Sequence, residues 1–155
     1  MKIHEYERAF LSVAALLMVA CLGALMYATL VRDIHLPGHA GTIDPRTVDT
    51  TPPFDRPGVR ETAPGDYEAV IVSAMWSFTP AEVRIPAGSR VTFISTSKDV
   101  IHGLHVAGTR VNVMLIPGQI SRVEYTFAEP GEYLLLCHEY CGLGHHLMSG
   151  KVVVE

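Results

Sequence analysis

An all-β sandwich or barrel behind one membrane-crossing helix is the fold class this 155-residue sequence predicts. Three observations predict it. The first is a long uncharged apolar run, Ala9 to Val31. The second is a series of short β-rich segments from Tyr67 onward, with turn signals between them. The third is that no long amphipathic helical period follows residue 66.

The apolar run reads AFLSVAALLMVACLGALMYATLV. As a helix it would span about 35 Å, enough for a hydrocarbon core of about 30 Å. A cleaved signal peptide is the competing reading, but the run is too long for a normal apolar region and no small-x-small cleavage site follows it. Met18-Val19-Ala20-Cys21 loosely resembles a lipobox, yet the sequence stays apolar or neutral well past Cys21. Residues 1–32 therefore read as a permanent single-pass anchor in membrane lipid, with Cys21 an inert apolar packing residue. Lys2 and Arg8 before the run and Arg32 after it leave its orientation open.

Charged residues make up 18% of the chain and hydrophobic ones 48%, the apolar excess lying in the anchor. Twelve Lys plus Arg against 16 Asp plus Glu give a net charge of -4, which excludes a nucleic-acid surface. Residues 33–66 carry Pro37, Pro45, Pro52, Pro53, Pro57 and Pro64. That density blocks helix interiors and central strands, so the segment reads as a linker, either a tether or an extended arm.

Residues 67–155 form the β domain. YEAVIVSA (67–74), EVRI (82–85), RVTFIS (90–95), VIHGLHV (100–106), VNVML (111–115), ISRVEYTF (120–127), EYLLLC (132–137) and KVVVE (151–155) read as strands. Pro86-Ala87-Gly88, Pro117-Gly118 and Pro130-Gly131 separate some of them. Such spacing favours a sandwich or barrel over βαβ units.

The chemistry is concentrated in CHEYCGLGHHLM, residues 137 to 148. Cys137, Cys141, His145 and Met148 follow the pattern C-x3-C-x3-H-x2-M, and His102 stands apart in DVIH. A disulfide between the cysteines would need neither histidine nor methionine. Zinc accepts two Cys and two His, but Met is a poor zinc ligand and common knuckles use C-x2-C. Copper suits the whole set better, since thiolate and thioether are soft and imidazole completes the shell. A one-copper blue site leaves a cysteine over. Two thiolates on one loop could instead bridge two copper ions, each with one terminal His and a weak axial ligand.

With these residues in view, the sequence resembles subunit II of haem–copper cytochrome oxidases, most closely the single-anchor B-type branch. The resemblance runs through the anchor, DVIHGLHV, the Pro117-Gly118 turn, PGEYLLLC and CHEYCGLGHHLMSGKVVV. It implies a cupredoxin Greek-key domain with a binuclear CuA copper centre. Cys137 and Cys141 match the bridging thiolates, and His102 and His145 the terminal imidazoles. Met148 matches the axial ligand on the copper of His102, and the Glu139 carbonyl approaches the other copper. The resemblance further implies cytochrome c as donor, subunit I with its haem as acceptor, oxygen reduction there coupled to proton translocation, and a copper domain on the periplasmic or outer side of the cell membrane.

Other residues carry two readings each, and for Glu139, Trp76 and Glu7 the functional one is what the resemblance implies. The Glu139 side chain is idle, or it shares a magnesium ion with subunit I. Trp76, the only tryptophan, is a structural aromatic or the point of electron uptake, with Met75 and Phe78 as apolar docking surface. Glu7 is a solvated residue at a helix start or opens a proton-uptake path at the cytoplasmic edge. Asp99 solvates a strand end or accepts a hydrogen bond from His102. His105, His138 and His146 stand near the cluster without a ligand role, and His4, His35 and His39 read as surface residues. For function, a membrane-tethered copper carrier is the alternative, disfavoured because the ligands come from two distant segments. A relative of the CuA domain of nitrous oxide reductase would need a second, large copper domain, and a structural zinc domain would be colourless.

Overall fold

The computed structural model describes residues 3–31 and 38–155. His35 and the side chain of His39 lie outside the described residues. The chain divides into two compact units, an N-terminal one and one that begins at Pro37.

The first unit is a single helix, α1 (Ile3–Leu30). It is long and apolar enough to cross a membrane. Two of its hydroxyls are satisfied within the helix: Ser12 donates to the Arg8 carbonyl at 2.8 Å, and Thr29 reaches the Leu25 and Met26 carbonyls. Such back-bonding lets a hydroxyl sit in an apolar helix without an unmet donor.

The second unit holds eleven strands among the described residues: β1 (Gly38–Thr42), β2 (Gly58–Ala63), β3 (Asp66–Ala74), β4 (Ser77–Thr79), β5 (Glu82–Ile85), β6 (Arg90–Ser97), β7 (His102–Val106), β8 (Asn112–Leu115), β9 (Gln119–Thr126), β10 (Gly131–Leu136) and β11 (Ser149–Val154). One sheet has the order β1-β9-β6-β3-β2, with β4 also on β3; the other is β5-β11-β10-β7-β8. Each of the eight expected segments forms a strand, with small shifts at the ends. β1, β2 and β4 were not expected.

Alternation builds the core. In β5 and β8 every second side chain is buried, as a half-buried strand requires. Ile71, Phe93, Leu104, Leu115, Phe127, Leu135 and Val152 fill the interior between the sheets. Val70 and Val72 point the other way and join a second cluster with Ile43, Val48 and Phe54. The run AVIV of β3 is therefore buried on both faces.

That second cluster corrects the expected linker. From Gly38 on, residues 38–66 are part of the folded unit. Asp44 caps a 3₁₀-helix (Pro45–Thr50) by accepting from the Arg46 N–H at 3.0 Å. Lys98 Nζ meets the Asp49 carboxylate at 2.9 Å. Proline there shapes turns and a helix start, where its missing N–H costs nothing, while Ile43, Val48 and Phe54 supply the buried surface. β2 occupies the stretch between Pro57 and Pro64, with its ladder on β3.

The loop of residues 137–148 leaves β10 and enters β11, which pair antiparallel along their length. β7 lies on the other side of β10. His102, at the start of β7, is thereby brought to the mouth of that loop.

Candidate metal centre

The loop is closed at its base by the Cys137 N–H donating to the Met148 carbonyl at 3.3 Å. A short 3₁₀ turn over His145–Leu147 folds its far half back. The His145, Leu147 and Met148 amides are taken up by the Gly142, Gly144 and His145 carbonyls. This local winding points His145 and Met148 back toward the two cysteines.

All six expected ligand residues meet there. The Cys137 and Cys141 sulfurs lie 3.8 Å apart. His102 Nδ1 is 3.9 Å from Cys137 Sγ, and His145 Nδ1 is 3.6 Å from Cys141 Sγ. Met148 Sδ is 3.7 Å from Cys141 Sγ, and the Glu139 carbonyl oxygen is 3.3 Å from Cys137 Sγ. The ligand atoms of His102, Cys137 and Cys141 are all within 4.8 Å of one another. His102 is closed to solvent; Met148, Cys141 and Cys137 are exposed by only 2%, 5% and 8%.

The disulfide reading does not hold. Both cysteines are free, and 3.8 Å is well beyond the roughly 2 Å of an S–S bond. The separation suits shared metal binding, since a metal–thiolate bond is about 2.3 Å and both sulfurs can reach one ion between them. Three soft sulfurs with two imidazoles, largely shielded from water, form a donor set for copper.

Electrostatics at Cys141 fit a thiol whose proton a bound cation would displace. Burial pushes the Cys141 thiol up to about 11, and the adjoining Cys137 thiol adds to the shift. Asp99 moves the other way. Burial would raise its carboxyl, but hydrogen bonds from His102 and from the Met75 and Val100 amides together hold it below the ordinary value. His102 Nε2 lies 2.8 Å from Asp99 Oδ1. A proton on Nε2 leaves the Nδ1 lone pair facing the sulfurs, the tautomer a metal ligand needs.

Trp76 touches this loop directly. Its indole Nε1–H donates to the Cys141 carbonyl at 3.1 Å. The ring lies against Gly142 and Gly144; a Cβ at Gly144 would fall 2.4 Å from Trp76 Cδ2. Gly142, at φ +116°, holds a conformation that side chains disfavour. The ring is still 42% exposed, beside an exposed Met75. Phe78 does not join this surface, contrary to expectation. In β4 the middle residue points inward, and Phe78 is buried in the core. Instead the ligand loop itself presents Tyr140, Leu143 and Leu147 to solvent. The signal for them was the apolar residues left between ligands in a loop whose ligands must face inward.

The remaining histidines stay outside the cluster. His105 Nδ1 lies 3.0 Å from the Val111 carbonyl. His138 is exposed and its ring covers Gly103; His146 is exposed. Glu7 belongs to the helical unit, with His4 Nδ1 4.0 Å from its carboxylate.

Residues 72–155 match the family described as cytochrome c oxidase subunit II, periplasmic domain. The chain is 39% identical to a cytochrome c oxidase subunit 2 of Thermus thermophilus over 157 residues, covering 99% of this chain and 94% of that protein. A second T. thermophilus cytochrome c oxidase subunit 2 is 42% identical over 120 residues, 76% of this chain and 89% of that protein. Among solved structures, a chain of a heme-copper terminal oxidase dimer superposes with a TM-score of 0.80 at 36% identity, covering 97% of this chain and 99% of that one. The periplasmic domain of subunit II of cytochrome oxidase from Bradyrhizobium japonicum shares the fold, with a TM-score of 0.52 at 18% identity over 57% of this chain and 83% of that one. Together with the buried His–Cys–Cys group, these likenesses support copper as the metal.

Proposed function

The chain belongs to the cytochrome c oxidase subunit II family, and from that premise we propose that it is the electron-accepting subunit of a B-type haem–copper oxidase, with a binuclear CuA copper centre. The observation that carries this reading is the pair of free cysteine sulfurs, 3.8 Å apart and shielded from water, with an imidazole nitrogen beside each. One copper would use one thiolate; a second is accounted for when both bridge two ions. His102 and His145 would be the terminal ligands, and Met148 and the Glu139 carbonyl the weak axial ones.

When bound, such a centre takes up and gives back one electron. The rest is the work of the chain. β7, β10 and β11 fix the ligands on a paired sheet, so they move little when the charge changes. His102, Cys137, Cys141 and Met148 are buried and His145 half-buried, which limits the access of water to the sulfurs. The same burial favours an electron carrier over a copper carrier, which must hand its ion on.

Cytochrome c would dock at the exposed Trp76–Met75 surface, where one hydrogen bond separates the indole from the backbone of Cys141. The acceptor would be haem in subunit I, where oxygen reduction and proton translocation take place. The helix would anchor the chain in the lipid with the copper domain on the periplasmic or outer side, and Glu7 at the opposite edge as a proton-uptake residue. A magnesium ion at the Glu139 carboxylate would need its remaining ligands from subunit I.

The test is metal analysis and electron paramagnetic resonance on the copper-loaded chain. Two coppers per chain, with one unpaired electron shared over both nuclei, is the expected result. One copper with a localised electron, or a colourless zinc product, would overturn the binuclear assignment.

A further inference from the structure

Asp99 stands in the short connection between β6 and β7, and its carboxylate reaches two places at once. Oδ1 accepts from the Val100 N–H at 2.7 Å and from His102 Nε2–H at 2.8 Å. Oδ2 accepts from the Met75 N–H at 2.6 Å, across 24 residues of sequence. The neighbouring Ser97 hydroxyl has a single proton and a closer acceptor, the Val100 carbonyl. The Asp99 side chain is 25% exposed.

The bonds to Met75 and to His102 belong to one circuit. Met75 directly precedes Trp76, and Trp76 is bound to the Cys141 carbonyl. His102, held by the other oxygen, faces Cys137 Sγ. Three segments that are distant in sequence, around 75, around 100 and around 140, are thus joined pairwise. Asp99 ties the first to the second, Trp76 the first to the third, and the metal ligands the second to the third. Hydrogen bonds to an ionised acceptor are roughly twice as strong as neutral ones, which suits a carboxylate at this junction.

We propose that Asp99 is a positioning residue that holds the His102 imidazole and the Met75–Trp76 surface segment as one unit, so that one carboxylate sets both the orientation of a metal ligand and the surface offered to the electron donor. This rests on the copper reading of the centre given above. A simple turn cap at Val100 would need neither the bond from Met75 nor the one from His102.

The test compares the full-length native chain with Asp99→Asn, which puts an amide NH2 where one acceptor oxygen stood. Trp76 is the only tryptophan, so its emission reports the surface segment without interference. In the metal-free protein the variant should shift Trp76 emission to the red and raise its quenching by acrylamide, and should speed exchange of the His102 ring N–H proton. In the copper-loaded protein it should weaken copper binding by about tenfold and alter the copper hyperfine pattern and the reduction potential. Asp99→Glu, which keeps the charge, should show the same paired changes in smaller measure and serves if the Asn variant does not fold. A change at His102 with native Trp76 emission, or the reverse, overturns the proposal, as does no change at either. A native protein that shows no shared-electron signal overturns the copper reading instead, while the metal-free measurements still decide the role of Asp99.

Discussion

The indole N–H of Trp76 donates to the backbone carbonyl of Cys141 at 3.1 Å, so the exposed aromatic and a buried cysteine of the proposed metal centre are joined by a single hydrogen bond. Trp76→Phe keeps an aromatic ring but removes that donor and part of the indole's packing on the loop. The bond is partly exposed, so its loss should cost about 0.5–1 kcal/mol of stability. Copper content should stay native, because none of the proposed ligands changes. Electron uptake from reduced cytochrome c should slow, and Trp76→Ala should slow it further by removing the contact surface too. Stopped-flow mixing with the reduced donor measures this; native rates in both variants would remove Trp76 from the path.

Gly144 is where that ring leaves no room for a side chain on the ligand loop. The methyl group of Gly144→Ala would sit 2.4 Å from Trp76 Cδ2, so either the indole or the loop must give way. Overpacking of this kind costs about 1–3 kcal/mol. The expected outcome is a lower urea midpoint together with red-shifted Trp76 emission. Gly23→Ala in α1 is the control, since nothing lies within 4 Å of a Cβ there, and it should leave both readings unchanged.

The raised thiol of Cys141 predicts how the site responds to pH. Its folded value, about 11, lies above the ordinary value of about 8.5 for an unfolded cysteine. The contribution to stability is therefore complete below the unfolded value and is lost as pH rises through the folded one. The metal-free protein should weaken progressively in that alkaline window. Copper must displace the proton, so loading should release protons and tighten with pH near neutrality, by roughly tenfold per unit for each proton displaced. Copper titrations monitored at several pH values, with proton release followed in weak buffer, check the sign and the count. Pairing the sulfurs with metal should abolish the alkaline loss.

Much of this was legible in the sequence, and the exceptions share a cause. The strands from Tyr67 onward declared themselves through β-branched runs between turn signals, a local property. The ligand loop stood out because its chemistry is unlike the rest of the chain. His102, 35 residues from Cys137, was not given by spacing; the resemblance of DVIH supplied it. What stayed hidden depends on contacts without a local signature. Nothing in Met75 or Asp99 shows that they bond across 24 residues. Phe78 reads as docking surface because it stands two residues after Trp76, whereas the short β4 hairpin turns it inward. The prolines of residues 38–66 obscured three apolar side chains that the outer face of β3 requires, and a β3 run buried on both faces was the clue.

Phe54 tests that last point. It is 1% exposed and packs with Ile43, Val48, Val70 and Val72 on the face of β3 away from the main core. If residues 38–57 were a tether, truncating this ring would change little. As a plug of the folded unit, Phe54→Ala should cost about 3–5 kcal/mol, reduced to the extent that the arm collapses into the gap. Because Val70 and Val72 would then face water, amide exchange should rise in β3 and in the 3₁₀-helix together. The ligand loop lies between β10 and β11 in the other sheet, so copper stoichiometry and the paramagnetic spectrum should stay native under folding conditions. A loss of stability no greater than about 0.5 kcal/mol, the scale of an ordinary surface substitution, would return the segment to the status of a linker.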